Sequence, residues 1–436
     1  MPDPPVHVVG AGLAGSECAF QLATRGVPVV LHEMRPQVST GAHKSDRCAE
    51  LVCSNSLRSD EPDHAAGLLK REMEAFGSLV IAAARAHAVP AGSALAVDRE
   101  SFAAEVTVRL LRTPGIELVR GEVTALPPGE VVLATGPLTS PALSRRLAEL
   151  AGGDYLYFYD AIAPIVDGES LDTTPMFWGS RYGKGSGEDY LNVPLDRAGY
   201  EEFHRQLTSA EVVALHDFER ALFFEGCLPI EELARRGVDT LRFGPMKPVG
   251  LRGPDGRRPW AVVQLRAETL ERRHFNLVGF QSRMKWADQN RVFRLLPGFA
   301  NAEFVRLGQI HRNTFVNAPR SLDARFRLVR EPRVRLAGQL TGVEGYLESA
   351  ATGLEVALDL VRERRGQPLE PAPPESALGA LVRHLTASEP ERFQPANVHY
   401  GLFPPLEPEP PKKERRAAYA ARAAAALAAW RTRCGL

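Results

Sequence analysis

The chain has 436 residues, 44% of them hydrophobic and 24% charged. That is enough for a large core and at least two domains, and it excludes a fibrous repeat or disorder through most of the length. Lys plus Arg and Asp plus Glu balance at 53 each, so any contact with a nucleic acid must come from a local basic face rather than from the field of the whole molecule.

The positive charge is mostly Arg, and no internal period is present. No apolar stretch reaches the length of a membrane span, and the N-terminus runs into a strand without a charged leader. The cysteines, Cys18, Cys48, Cys53, Cys227 and Cys434, lack paired zinc-ligand spacing. The expectation is a cytoplasmic chain with free thiols, no metal and no membrane partner.

In chain order, residues 6–9 read as an apolar strand, 16–25 as a helix and 27–32 as a second strand ending at Glu33, which makes one βαβ unit. Residues 36–59 are polar and turn-rich and carry two cysteines, a lysine and several hydroxyls, a composition of site rather than scaffold. Helical patterning returns over 64–86 and 98–111, and strands follow at 116–120 and 130–134, the latter running into Thr135-Gly136. From about residue 155 to 273 aromatics, Gly and Pro become frequent and the βαβ rhythm is lost.

Strands are predicted at 275–280, 304–307 and 334–337, the last entering Gly338-Gln339-Leu340-Thr341-Gly342 before a helix over 346–366. Proline-rich connectors at 368–374 and 404–411 precede an Ala-rich, Arg-studded helix over 412–433. The predicted class is α/β, with a Rossmann-like nucleotide-binding domain over 1–150, an inserted α+β substrate domain over 151–273, a return segment over 274–366, and connectors with a terminal helix over 367–436.

Gly10-Ala11-Gly12-Leu13-Ala14-Gly15 satisfies G-x-G-x-x-G between a strand and a helix, the context the motif requires. Gly10 permits the turn, Gly12 lets backbone approach a pyrophosphate, and Gly15 lets helix and strand pack closely, with the phosphate at the helix N-terminus. Glu33 stands at the offset of a ribose-binding carboxylate, with Arg35 beside it. The strand ending in Ala134-Thr135-Gly136 and the loop from Gly338 through Gln339 and Gly342 resemble elements of large FAD-binding folds, so FAD rather than NAD is the expected resident cofactor.

Several long motifs resemble one family. Glu33-Met34-Arg35-Pro36, His43-Lys44-Ser45-Asp46, Ala49 through Ser56, Met284-Lys285-Trp286, His311-Arg312-Asn313-Thr314, Gly338 through Tyr346 and Gly401-Leu402-Phe403-Pro404-Pro405 occur here in the order found in folate- and FAD-dependent tRNA (uracil-5-)-methyltransferases. Flavoproteins of the GidA type share the first loop and the late Gly-rich turn but are longer. The resemblance implies transfer of a one-carbon unit from 5,10-methylenetetrahydrofolate to C5 of uridine 54 in the tRNA T loop, with flavin supplying electrons and NADPH or NADH re-reducing it. A GidA-type tRNA-modifying flavoprotein and a small-molecule FAD oxidoreductase are the alternatives. A monomer is compatible with the sequence, which fixes no oligomeric state.

Uracil C5 is a poor nucleophile until something adds at C6, which calls for a thiolate. Cys53, in the polar loop, and Cys227, in Phe223-Phe224-Glu225-Gly226-Cys227-Leu228-Pro229, both resemble cysteines the family uses. Cys227 is the favoured nucleophile, with Cys53 near the flavin assisting proton removal or holding a resting adduct. His311 and Arg312 are candidates to face the folate, and Lys285 with Arg283 to meet a folate glutamate or an RNA phosphate. Two basic clusters, Lys412-Lys413-Glu414-Arg415-Arg416 with Arg422 and Arg431, and Arg181, Tyr182 and Lys184, are candidates for phosphate contact; an ordinary solvated face is the competing reading.

Overall fold

Val6, Val8 and Val9 give the first strand an almost unbroken apolar run, the pattern of a parallel strand covered on both faces. It takes that place in a computed structural model, which describes residues 3–40, 42–152, 155–213 and 228–435, with backbone alone at 155–160 and 310–312. Val6–Val9 lies inside a six-stranded sheet ordered Arg327–Leu328, Glu331–Leu336, Val131–Leu133, Val6–Val9, Val29–Glu33, Ile116–Arg120. All neighbours are parallel except the first pair, and Val8 stands in register with Leu31 on one side and Val132 on the other.

The first helix, Leu13–Ala23, packs on the long helix Tyr346–Arg364. The two backbones touch: a Cβ on Gly353 would stand 2.2 Å from the Ala14 carbonyl oxygen. The helix expected over 64–86 is two helices, Ala65–Ala75 and Leu79–Ala86. Gly77 takes φ +71 between them, which an uninterrupted helix does not accommodate.

A second sheet is antiparallel throughout, ordered Phe177–Trp178, Tyr190–Leu195, Ala261–Ala267, His274–Leu277, Ile165–Asp167, Phe304–Arg306. It has its own core, in which Tyr200, Phe203, Phe280, Phe293 and Phe299 pack among aliphatic residues such as Val193, Leu207, Val263 and Leu265. Tyr155–Ala161 and Ile310–Val316 form a separate antiparallel ribbon through which the chain leaves the first sheet and comes back.

The strands expected at 275–280 and 304–307 as part of the return segment therefore pair in the second sheet, and the chain rejoins the first sheet only at Arg327–Leu328. A strand pattern specifies an extended segment, not the partner beside it. Beyond residue 366 a helix unmarked in the sequence reading, Ala377–Ala387, lies between the proline connectors. The terminal helix runs Arg415–Cys434 and buries Ala423, Leu427, Trp430 and Cys434 against the body, Trp430 donating its Nε1–H to the Glu370 carbonyl at 3.0 Å. Among the described residues no helix is long and apolar enough to cross a membrane.

Candidate cofactor and active site

The three glycines of the first loop do different work. Gly10 takes φ +99, and a Cβ there would meet the Ala134 carbonyl oxygen at 2.7 Å. A Cβ on Gly15 would lie 1.8 Å from the Gly10 carbonyl oxygen, so helix and turn are in backbone contact. Gly12, at φ −71 and ψ −169, has a conformation open to any residue, and nothing lies within 4 Å of where its Cβ would stand.

Space, not backbone conformation, is what glycine preserves at position 12. Gly12 is also the N-cap of the first helix, has no side chain to occupy the first-turn N–H groups, and is followed by no acidic residue in that turn. Unpaired N–H groups and the positive end of the helix dipole thus face an open volume, the arrangement that takes a phosphate.

That volume has two parts that meet at Gly12, His43, Ala134, Thr135 and Leu138. The larger, about 390 Å³, runs past Leu13, Ala14, Gly136, Gly338 and Gln339 to Cys53 and Tyr346. The smaller, about 80 Å³, is walled by Gly10, His32, Glu33, Arg35 and Leu143. Glu33 accepts from Ala11 N–H at 3.1 Å and from Arg35 Nε at 2.8 Å, and Arg35 reaches on to Glu50 at 2.8 Å. Burial raises the Glu33 carboxyl, but the Arg35 guanidinium and the two backbone N–H bonds outweigh it and hold the group below the usual carboxylate range.

A dinucleotide with its pyrophosphate at Gly12, one ribose toward Glu33 and its ring system toward Cys53 matches this two-part shape, so the residues present fit FAD. Of the expected cofactor residues, Gly10, Gly12, Leu13, Ala14, Glu33, Arg35, Thr135, Gly136, Gly338 and Gln339 line the cavity. Ala11, Gly15 and Gly342 do not; they shape it, Gly342 at φ +92 with Phe393 where a Cβ would go.

Cys53 lines the larger cavity. Its N–H donates to the Tyr346 hydroxyl at 2.5 Å, and its carbonyl accepts from Arg306 at 2.8 Å and Arg99 at 3.1 Å. Tyr346, Arg58, Asn313 and Asn397 also face the cavity without having been assigned a role from sequence. For Tyr346 and Asn313 the signal was present, since both stand inside motifs singled out for the family; Arg58 and Asn397 carry no such mark.

Cys227 lies outside the described residues. His311 and Arg312 sit on the ribbon strand opposite Asp160 and Tyr159, with side chains outside the described set; Asn313, next along the strand, reaches the cavity. Lys285 lines neither part of it: its exposed ammonium pairs with Glu211 at 2.6 Å. Members of both basic clusters are engaged within the fold, Lys184 pairing with Glu61 at 2.8 Å, Arg181 donating to the Lys247 carbonyl at 2.8 Å, Arg416 meeting His64 at 2.7 Å and Arg422 the Pro405 carbonyl at 2.7 Å, while Lys412, Lys413 and Tyr182 are exposed. Among the described residues no group of three or more His, Cys, Asp or Glu could hold a metal ion.

The family model for glucose inhibited division protein A matches residues 5–368. The chain belongs to the GidA family. Within that family it is 56% identical over 98% of its length to a Geobacter sulfurreducens protein, also covered to 98%, and 55% identical over 99% of its length to a Myxococcus xanthus protein covered to 95%. Both relatives bear the name methylenetetrahydrofolate–tRNA-(uracil-5-)-methyltransferase TrmFO. Aquifex aeolicus GidA superposes with a TM-score of 0.68 at 15% identity, over 98% of this chain and 74% of that one, which establishes the GidA-like Rossmann fold.

Proposed function

We propose that this GidA-family chain is a flavoenzyme that methylates C5 of uridine 54 in the tRNA T loop, drawing the carbon from 5,10-methylenetetrahydrofolate and electrons from NADPH or NADH. The observation that carries this reading is end-to-end identity above one half to proteins named for that reaction. The position of Cys53 at the end of a cavity that begins at the Gly12 cradle supports it. With tRNA as substrate the reaction belongs in the cytoplasm.

FAD, when bound, supplies the reducing electrons. The chain's own residues do the rest. The first-turn N–H groups after Gly12 bind the pyrophosphate, and Glu33, locked by Arg35 and Ala11, orients a ribose hydroxyl. A T-loop base drawn out of its stack enters beside Cys53, where a thiolate, from Cys53 or Cys227, adds to C6 and raises electron density at C5. The other cysteine takes up the C5 proton after the carbon is in place. Tyr346 fixes the Cys53 backbone so that the sulfur stays on the cavity wall.

The test uses purified protein, unmodified tRNA, methylenetetrahydrofolate and NADPH with no added subunit. Ribothymidine at position 54 is the expected product. No product, or product only when a second protein is added, refutes the proposal and favours a GidA-type flavoprotein that works with a partner; NADPH oxidation on a small molecule alone favours an oxidoreductase.

A further inference from the structure

The loop that carries Cys53 is gripped by arginines from distant parts of the chain. Arg99, the first residue of the helix Arg99–Arg112, donates to the Leu51 carbonyl at 2.8 Å and to the Cys53 carbonyl at 3.1 Å. Arg306, the last residue of the strand Phe304–Arg306 in the second sheet, donates to the Val52 carbonyl at 2.7 Å and the Cys53 carbonyl at 2.8 Å. Arg266, on Ala261–Ala267, is 6% exposed and donates to Asn55 Oδ1 at 2.8 Å.

Three guanidiniums thus surround residues 51–55, and one carboxylate, Glu268, pairs with them, through Arg99. Among the described residues neither Arg266 nor Arg306 has an ion-pair partner, and the buried Arg306 Nε has no hydrogen-bond partner. Glu268 acts on all three guanidiniums, but one carboxylate against three partly or fully buried cations leaves an excess of positive charge, which is costly, and every neutral carbonyl they bind could be held by a neutral donor at less cost. What an excess of positive charge supplies, and a neutral donor does not, is stabilisation of an anion nearby.

We propose that Arg306 is a positioning residue that with Arg99 holds the Cys53 backbone on the cavity wall, and that these two, with Arg266 at Asn55, favour the thiolate of Cys53 over its thiol. The inference rests on the reading of Cys53 as part of the reaction site. The proton released goes to water in the cavity, and no oxidant or reductant takes part. Among the described residues, the other charged or titratable groups around this cysteine are Tyr346 on the long helix, Glu268 behind Arg99, and His43, Glu50, Arg58 and Glu344 along the cavity wall. Glu50 is held by Arg35 and Arg58 pairs with Glu348. Burial raises the Tyr346 phenol, keeping it neutral, and burial and Arg99 lower the Arg306 guanidinium while Cys53 acts on it in the opposite sense.

The experiment measures the alkylation rate of Cys53 by iodoacetamide against pH in the full-length, pre-reduced protein, with the modified peptide identified by mass spectrometry. The wild-type half-point is expected below the ordinary thiol value of about 8.5. Arg306→Gln is expected to raise it by roughly one unit, which slows alkylation at pH 7 by up to about tenfold; Arg306→Lys, which keeps the charge and loses the fork, restores most of the shift. Glu268→Gln, which removes the carboxylate paired with Arg99, is expected to lower the half-point, and it keeps the test decisive if the Arg306 variants do not fold.

A wild-type half-point at or above the ordinary value, or one that neither Arg306→Gln nor Glu268→Gln moves, overturns the proposal. Ribothymidine formation measured on the same samples separates this from the function itself. Shifted titration without product keeps the arginine role and removes the methyltransferase reading, whereas product with unshifted titration does the reverse.

Discussion

Replacing Gly12 by valine separates cofactor binding from folding. The backbone at Gly12 is in the extended region that any residue adopts, and the new side chain points into open volume. The apo protein is therefore expected to keep its stability within about 0.5 kcal/mol, a melting shift of roughly 0.5–1 °C. The same side chain fills the place where a pyrophosphate meets the first-turn N–H groups. Hydrogen bonds to charged groups are worth about 1.5–3 kcal/mol each, so loss of two costs about 3–6 kcal/mol, a rise in the FAD dissociation constant of roughly 10² to 10⁴-fold. Flavin fluorescence quenching on titrating apo protein with FAD gives the dissociation constant, and calorimetry on the same preparation gives the melting temperature. An unchanged FAD affinity refutes the placement of the pyrophosphate, and a parallel collapse of stability refutes the claim that Gly12 is kept for space.

Gly15→Ala is expected to do the opposite, because its Cβ would lie 1.8 Å from a backbone oxygen that cannot move without displacing the turn; chemical denaturation of the apo protein should show a loss of several kcal/mol. Burial pushes the Glu72 carboxyl up to about 8, although it accepts from the Ala377 and Leu378 N–H groups at 2.8 Å each. A raised carboxylic acid contributes stability that is full below its unfolded value of about 4.3 and is lost as pH rises through its folded value. Glu72→Gln keeps an acceptor and removes the titration, so its stability should fall less than that of the wild type between pH 5 and pH 8, read by urea unfolding. Trp430→Ala removes a buried indole and its bond to the Glu370 carbonyl, and is expected to cost about 3–5 kcal/mol and to open the terminal helix first in hydrogen exchange.

The nucleotide cradle was legible because it is local. Gly10 to Gly15 and Glu33 fall within one βαβ unit, where Gly10 and Gly15 answer to backbone contacts and Gly12 to the open space the motif demands. Cys53 was legible as part of a polar, hydroxyl-rich loop. The groups that hold it were not, because they come from far along the chain: Arg99 is 46 residues from Cys53, Arg306 is 253 and Tyr346 is 293. Composition marks an arginine as charged without saying whether its guanidinium points to water or to a buried carbonyl. The partners of His274–Leu277 and Phe304–Arg306 were hidden for a similar reason, since an apolar strand fits either sheet until its neighbours are known. The basic residues of the terminal helix read equally well as an RNA contact or a solvated face; its docking face, Ala423, Leu427, Trp430 and Cys434, is too sparse among alanines and arginines to stand out in the sequence.

The most direct test of the account follows the carbon. Purified protein with FAD and NADPH is given unmodified tRNA and methylenetetrahydrofolate labelled with carbon-14 in its methylene group, beside a parallel reaction with labelled S-adenosylmethionine. Label in the C5 methyl of uridine 54 from the folate alone is the expected result. Label arriving from S-adenosylmethionine, or no label at that carbon from either donor, contradicts it.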